Sequence, residues 1–297
     1  MLRIKNLCKN IGTRPLLKSI NINVDEGMIY GFIGHNGAGK TTTMRAIVGL
    51  TRFNSGEIII EGKSYMNKVA IDHIVGYLPE NPNFYSYMTA KEYMRYLSQL
   101  NNDSKLIELL EMVGLKKSMN KRIGTYSRGM KQRLGMAAVM IHNPKLLIMD
   151  EPTSALDPAG RYELFEMIKQ LRDKGSTIIL STHILDDIEK VSDKIGIIKE
   201  GAILREGNVD EILSDYFHPI YDVKTENLDN FDLNYFNKYP WIDEVIKNGQ
   251  MLSITVRDID YAKHQMLQSL LDSKLNVVGF DLRQPSLEDV FIKESRL

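Results

Sequence analysis

The chain has 297 residues, 43% of them hydrophobic and 26% charged, and its 38 basic and 38 acidic side chains cancel to a net charge of zero. That balance gives no support to a nucleic-acid partner held by charge alone. The single cysteine, Cys8, excludes an intrachain disulfide and a cysteine metal cluster, and it suits a reducing compartment. No apolar run approaches the roughly 18 residues of a membrane span. Met1-Leu2-Arg3-Ile4-Lys5 does not open a signal peptide. A cytosolic chain is expected, and work at a membrane would need another protein to carry it there.

The length allows two domains. Residues 2–7 and 17–24 alternate apolar and polar and read as antiparallel strands. Residues 28–33 form a short apolar strand that runs into Gly34-His35-Asn36-Gly37-Ala38-Gly39-Lys40-Thr41. This stretch fits the G-x-x-x-x-G-K-[ST] phosphate loop, and the helix predicted from Thr42 to about Gly49 completes its strand–loop–helix setting. Glycines let successive backbone N–H groups turn inward around a polyphosphate, and the helix N-terminus adds partial positive charge. Gly34 through Thr42 are therefore the expected nucleotide contacts. Lys40 reaches the terminal phosphates, and Thr41 holds Mg²⁺.

Strands follow at 57–60 and 74–78. Residues 81–144 then read as a helical insertion. Thr89 and Glu92 make a capping box for a helix to about Leu100. A second helix starts at Asp103 or Ser104 and ends at Gly114, and Ser127 caps a third that ends before Asn143-Pro144. The α/β pattern returns with the buried-type strand 146–149, a helix opened by Asp157-Pro158, a strand at 177–180, a short helix at 184–190 and a hairpin across Glu200-Gly201. Phe217-His218-Pro219 reads as a linker. Beyond it, segments 220–224, 252–256 and 277–282 with a helix near 260–273 suggest a small α+β domain.

Asp150 and Glu151 end strand 146–149. Adjacent strand residues point to opposite sides, so one carboxylate can face a metal and the other the attacking water. In phosphate-loop NTPases the strand-end aspartate serves the metal. Asp150 takes that role here, and Glu151 becomes the general base or water-orienting group. An acidic strand end in plain solvent is the alternative, and the phosphate loop weighs against it.

The order of these parts resembles an ATP-binding cassette (ABC) ATPase over residues 1–215. The residues that carry the likeness are Leu146–Glu151, then Pro152-Thr153-Ser154-Ala155-Leu156-Asp157, then His183. The resemblance implies that Ser154–Asp157 meets a second subunit and that His183 hydrogen-bonds the γ-phosphate. It also implies that Tyr126-Ser127-Arg128-Gly129-Met130 replaces the family's Leu-Ser-Gly-Gly-Gln. Three of five positions differ, but Ser127 and Gly129 keep the hydroxyl and the open backbone that would grip the nucleotide of the opposite subunit. A degenerate half-site in a heterodimer would turn over slowly.

Glu80 stands where the family's Mg²⁺-sensing glutamine belongs, adding negative charge near Asp150 and Glu151. Altered metal affinity is expected rather than loss of function. No aromatic residue precedes Tyr30 to stack on adenine. Ile11 aligns with that ring, and either Ile11 or the planar guanidinium of Arg14 covers the base.

Residues 74–80, 126–134 and Gln284-Pro285-Ser286-Leu287-Glu288-Asp289-Val290-Phe291 are similar to ATPase subunits of bacterial type-2 ABC exporters. The resemblance implies ATP and Mg²⁺ as ligands, a separate integral membrane permease, and a second ATPase subunit in a homo- or heterodimer. No nucleic acid is involved, and the site of work is the cytoplasmic face of the bacterial membrane. The cargo would be a drug, antimicrobial peptide or lipid-like molecule moving outward. Segment 81–125 would groove the permease's coupling helix, with Phe84, Tyr85, Tyr87 and Met88 as rim, unless these side chains simply pack the insertion. A soluble ABC ATPase acting on ribosomes or nucleic acid is the competing reading, with a phosphate-loop kinase or GTPase more distant. The expected fold is α/β: a P-loop NTPase core with an antiparallel β subdomain and a helical insertion (about 81–144), within an ATPase domain 1–216. A small C-terminal α+β accessory domain, 217–297, follows.

Overall fold

Strand β1 (Leu2–Ile11) buries Leu2, Ile4 and Leu7 and exposes Arg3 and Lys5, so one face closes on a core. It lies between β2 (Arg14–Val24) and β4 (Ser55–Ile60), and β5 (Lys63–Ser64) adds to β4, giving an antiparallel sheet ordered β2-β1-β4-β5. The computed structural model describes residues 1–65, 71, 73–98, 103–217, 219–228 and 231–296. Leu100 and His218, within the expected first insertion helix and the expected linker, lie outside the described residues.

The second sheet runs β10-β9-β3-β8-β7-β6. Its strands are β3 (Ile29–Ile33), β6 (Val75–Leu78), β7 (Leu146–Asp150), β8 (Thr177–Thr182), β9 (Lys194–Lys199) and β10 (Ala202–Asn208). All pair in parallel except the β9–β10 hairpin. Every residue of β3, β7 and β8 is buried, as expected of parallel strands covered on both faces. In such sheets ligands bind beyond the carboxyl ends of the strands. The loop after β3 leads to α1 (Lys40–Ile47) at that end.

The insertion carries α2 (Ala90–Ser98), α3 (Asp103–Met112) and α4 (Arg128–Val139). The capping box forms: Thr89 N donates to Glu92 Oε2 at 2.8 Å, and Glu92 N donates to Thr89 Oγ1 at 3.2 Å. Asp157 caps α5 (Pro158–Asp173) through Gly160 N at 2.8 Å, and α6 (Leu185–Val191) follows β8.

The chain divides into two compact units, Met1–Val209 with Phe291–Leu297, and Asp210–Val290. Most of α7 (Val209–Asp215), read from sequence as part of the first domain, thus counts with the second unit. That unit holds a sheet ordered β12-β13-β11-β14, made of β11 (Ile220–Thr225), β12 (Ile242–Asn248), β13 (Met251–Val256) and β14 (Val277–Leu282). Helix α8 (Ile259–Asp272) packs Ala262, Met266 and Leu270 into a core with Val223, Phe236, Trp241 and Leu252. The final helix, α9 (Leu287–Arg296), begins in this unit.

β12 was not anticipated. Most of its side chains are exposed, so its alternation is faint, yet its Asn248-Gly249 end is a hairpin signal. Phe236 is fully buried in an aromatic cluster with Phe231 and Tyr235. Phe236→Ala should therefore destabilise this unit by about 3–5 kcal/mol. Calorimetry would register the loss, and an unchanged melting profile would show that this ring does not hold the second core.

Candidate active site

Ile33 hands the chain from buried β3 to the phosphate loop, where Gly37 and Gly39 adopt φ of +81° and +118°. These values require glycine. Gly34 is glycine for another reason: a Cβ there would sit 2.5 Å from the Ile198 carbonyl oxygen. The β9–β10 turn braces the loop, with Gly201 N donating to Ala38 O at 2.9 Å and Lys18 N donating to Gly201 O at 2.6 Å.

Lys40 opens α1 and is 6% exposed. Its Nζ donates to Gly34 O at 2.6 Å and His35 O at 3.3 Å, and lies 3.8 Å from Glu151 Oε1. Burial pulls the Lys40 ammonium below the usual lysine range, while Glu151, Asp150 and Glu80 pull it back. A buried cation held by carbonyls and a carboxylate can exchange them for phosphate oxygens at small desolvation cost.

Glu151 is itself buried, at 8% exposure, and its Oε2 stands 2.9 Å from His183 Nδ1. The carboxylate thus bridges the loop lysine and the histidine after β8. The alternation argument stops at Asp150. Glu151 has φ of +48°, so it has left the strand for the left-handed region, at a cost of about 1–3 kcal/mol. Its N–H donates to Ser181 Oγ at 3.0 Å, and Ser181 Oγ donates to Asp150 Oδ1 at 2.8 Å.

A cavity of about 150 Å³ is lined by Leu16, by loop residues including His35, Lys40, Thr41 and Thr42, and by Glu80 and Glu151. Beside it lies a larger one, about 540 Å³, lined by Arg14, Pro15, Leu16, Lys18, His35–Ala38, Lys199 and Glu200. Ile11 is 64% exposed and lines neither, so of the two residues considered for the base only Arg14 faces this space. Ser127 is exposed at the N-cap of α4, where its Oγ accepts from Met130 N at 3.2 Å, and Gly129 is half-buried behind it. Neither lines the two cavities of its own chain. Asp150, 1% exposed, sits at the end of β7 behind Glu151.

Two departures from the family pattern meet. Arg128 Nη2 lies 3.8 Å from Glu80 Oε1, so the arginine of the altered signature partly offsets the extra acid. Both groups are about half exposed, so the pair contributes at most about 1 kcal/mol. Sequence reasoning also missed Tyr96, which joins Tyr85 at 5.9 Å in an exposed aromatic patch with Tyr87, and the contact of Phe291 on His35 at 4.8 Å. Phe84 instead packs edge-on against Tyr93 at 5.1 Å. The Ser181 bridge carried no sequence signal beyond a hydroxyl in an apolar strand.

The family described as "ABC transporter" matches residues 17–154, and the one described as "ATP-binding protein DrrA1-3-like, C-terminal domain" matches residues 207–295. The chain is 36% identical to the ABC transporter ATP-binding protein YxlF of Bacillus subtilis (strain 168), over 99% of both chains. It is 34% identical to the bacitracin transport ATP-binding protein BcrA of Bacillus licheniformis, over 99% of this chain and 96% of that one. A solved ATP-binding subunit of an ABC transporter superposes with a TM-score of 0.67 at 30% identity, covering 73% of this chain and 93% of that one.

Two outcomes follow from the site. If the Arg14 guanidinium covers the base in place of a ring, GTP should turn over within about tenfold of ATP, because a stacked plane reads no base edge; a strong preference for ATP in steady-state assays would refute this. Glu80→Gln should remain active and shift the Mg²⁺ concentration for half-maximal nucleotide binding, and an unshifted titration would remove Glu80 from the metal's surroundings.

Proposed function

The chain belongs to the ATP-binding subunits of ABC transporters, and from that premise we propose that two such subunits close head to tail over two ATP molecules and drive a separate membrane permease. The subunit is an ATPase. The observation that supports hydrolysis at this site best is the Glu151 carboxylate, held between Lys40 and His183 at the mouth of the phosphate loop. On nucleotide binding Lys40 leaves the Gly34 and His35 carbonyls for the terminal phosphates. Glu151 then orients the attacking water, and His183 turns to the γ-phosphate. Thr41, Asp150 and Glu80 offer hard oxygen donors. Among the described residues no group of three or more His, Cys, Asp or Glu could hold a metal alone, which fits Mg²⁺, an ion that takes its remaining ligands from phosphate and water. Bound there, it supplies neutralisation of the phosphate charge.

Ser127 faces outward at a helix N-terminus, as suits a group that completes the partner's nucleotide site. The second subunit is a further copy or a homologue. Among the described residues no helix is long and apolar enough to cross a membrane. In this reading the chain works at the cytoplasmic face of the membrane, carried by the permease. Tyr85, Tyr87 and Tyr96, each at least 47% exposed, are the docking patch we assign to it. Behind that patch, Ile123 N donates to Met88 O at 2.8 Å and Gly124 N donates to Ser86 O at 2.9 Å, a direct backbone link to the segment entering Ser127. With a relative named for bacitracin transport, the cargo in this reading is a drug, antimicrobial peptide or lipid-like molecule moving outward. A soluble ATPase working on ribosomes is not favoured.

Glu151→Gln should bind ATP, lose at least about 100-fold in turnover, and collect as an ATP-bound dimer on size-exclusion chromatography. Captured from detergent-solubilised membranes with ATP and Mg²⁺, it should bring a multi-span protein with it. Near wild-type turnover would remove Glu151 from the water-orienting role, and ribosomal proteins in place of a permease would overturn the transport reading.

A further inference from the structure

Strand β8 lies between β3, which feeds the phosphate loop, and β7, which ends at Asp150 just before Glu151. Its residue Ser181 pairs with Phe32 of β3 on one side and with Asp150 of β7 on the other. Residues paired in register project to the same face of a sheet. Ser181 therefore stands beside Asp150 at the carboxyl end, where it is fully buried at 0% exposure. A hydroxyl so placed needs partners, and it has two of different kinds.

A serine hydroxyl has one proton to give and lone pairs to receive. The Glu151 N–H can only donate, so in the 3.0 Å contact Ser181 Oγ is the acceptor. Its own proton is then free for Asp150 Oδ1, at 2.8 Å. The directions of both bonds are fixed without reference to any ligand.

The β7–β8 ladder ends at the Asp150–Ser181 pair. One residue later Glu151 turns to φ of +48°, and its N–H leaves the ladder direction. Ser181 takes up that orphaned donor with its side chain. The turn is what brings Glu151 Oε1 and Oε2 toward Lys40 and His183. Farther along the same strand end, Thr182 Oγ1 accepts from Ile184 N at 3.1 Å, which sets the backbone that carries His183.

We infer that Ser181 is the positioning residue of hydrolysis, one hydroxyl that orients the Asp150 carboxylate and holds the left-handed turn presenting Glu151 to the attacking water. This rests on the reading of Glu151 as the water-orienting group. Ser181 lines neither cavity and acts through its two neighbours, the Glu151 N–H and the Asp150 carboxylate. It also ties the end of β8, just before His183, to the end of β7, where Asp150 gives way to Glu151.

The test compares Ser181→Ala with Ser181→Thr, which keeps the hydroxyl, in the full chain. Ser181→Ala should lower kcat by about 10- to 100-fold, the usual loss when a supporting hydrogen bond is removed, with the KM for ATP within about twofold. The Mg²⁺ concentration needed for half-maximal binding of a fluorescent ATP analogue should rise, and Ser181→Thr should restore both values. In a Glu151→Gln background, Ser181→Ala should cost little further turnover, because residues acting as a unit are not additive. The proposal fails if Ser181→Ala keeps kcat within twofold, if it loses ATP affinity in step with kcat, or if its loss multiplies with that of Glu151→Gln. If the alanine variant does not fold, Ser181→Cys, of similar size but a weak donor, carries the same comparison. Full turnover by Glu151→Gln alone would instead sink the underlying reading of Glu151 and leave the Ser181 bonds themselves as a structural anchor.

Discussion

The buried ammonium of Lys40 sets the terms for the rest of the site. An ion taken out of water has to be met by charge or by dipoles, and here the loop's own carbonyls and Glu151 meet it. That requirement fixes where the glycines fall, because only an open backbone can fold Gly34 O and His35 O back onto the lysine. It also draws Glu151 inward and off the strand. Phosphate oxygens offer the same ligands with more charge, so the resting contacts outline what ATP replaces. Burial pulls the lysine toward its neutral form and three acids oppose that pull; a bound anion acts in the same direction as the acids, because each additional anion stabilises the charged form.

The strain at Glu151 gives this arrangement its cost and its purpose. A non-glycine residue in the left-handed region persists only where its surroundings hold it. Two side chains of the neighbouring strand end do so, Ser181 at the backbone and His183 at the carboxylate. The carboxylate proposed to orient water is therefore not simply the last residue of a strand. It is a turn residue, clamped at both its ends, and preorganised groups of this kind do not have to be assembled during reaction.

Much of the fold is readable along the chain because its rules are local. The phosphate loop declares itself by glycine spacing, Thr89 with Glu92 and Asp157 with Pro158 mark helix starts, and the apolar runs at 146–149 and 177–180 match buried parallel strands. What escaped was set by register between distant segments. Ser181 is one polar residue in an apolar run until β8 is seen to lie against β7. The departure of Glu151 from strand geometry cannot be read from Asp150-Glu151-Pro152, and alternation does not describe a residue that has left the strand. Ile11 aligns with a ring by count, but the β1–β2 turn carries it into solvent and leaves Arg14 facing the cavity. The edge strand β12 hid behind its charges.

Glu80 and Arg128 show how two substitutions that look damaging singly become intelligible together. An acid in place of a neutral amide adds negative charge beside the phosphate-loop cavity, and an arginine in place of a glycine adds positive charge at the N-terminus of α4. With the two side chains 3.8 Å apart, each answers the other, and Arg128 also donates to Asn81 Oδ1 at 3.3 Å. The contact joins the loop after β6 to the N-terminus of α4 within one chain, bridging core and insertion beside the phosphate-loop cavity that Glu80 lines. Because the pair is exposed, it is weak enough to open. A buried pair in the same place would be far costlier to separate.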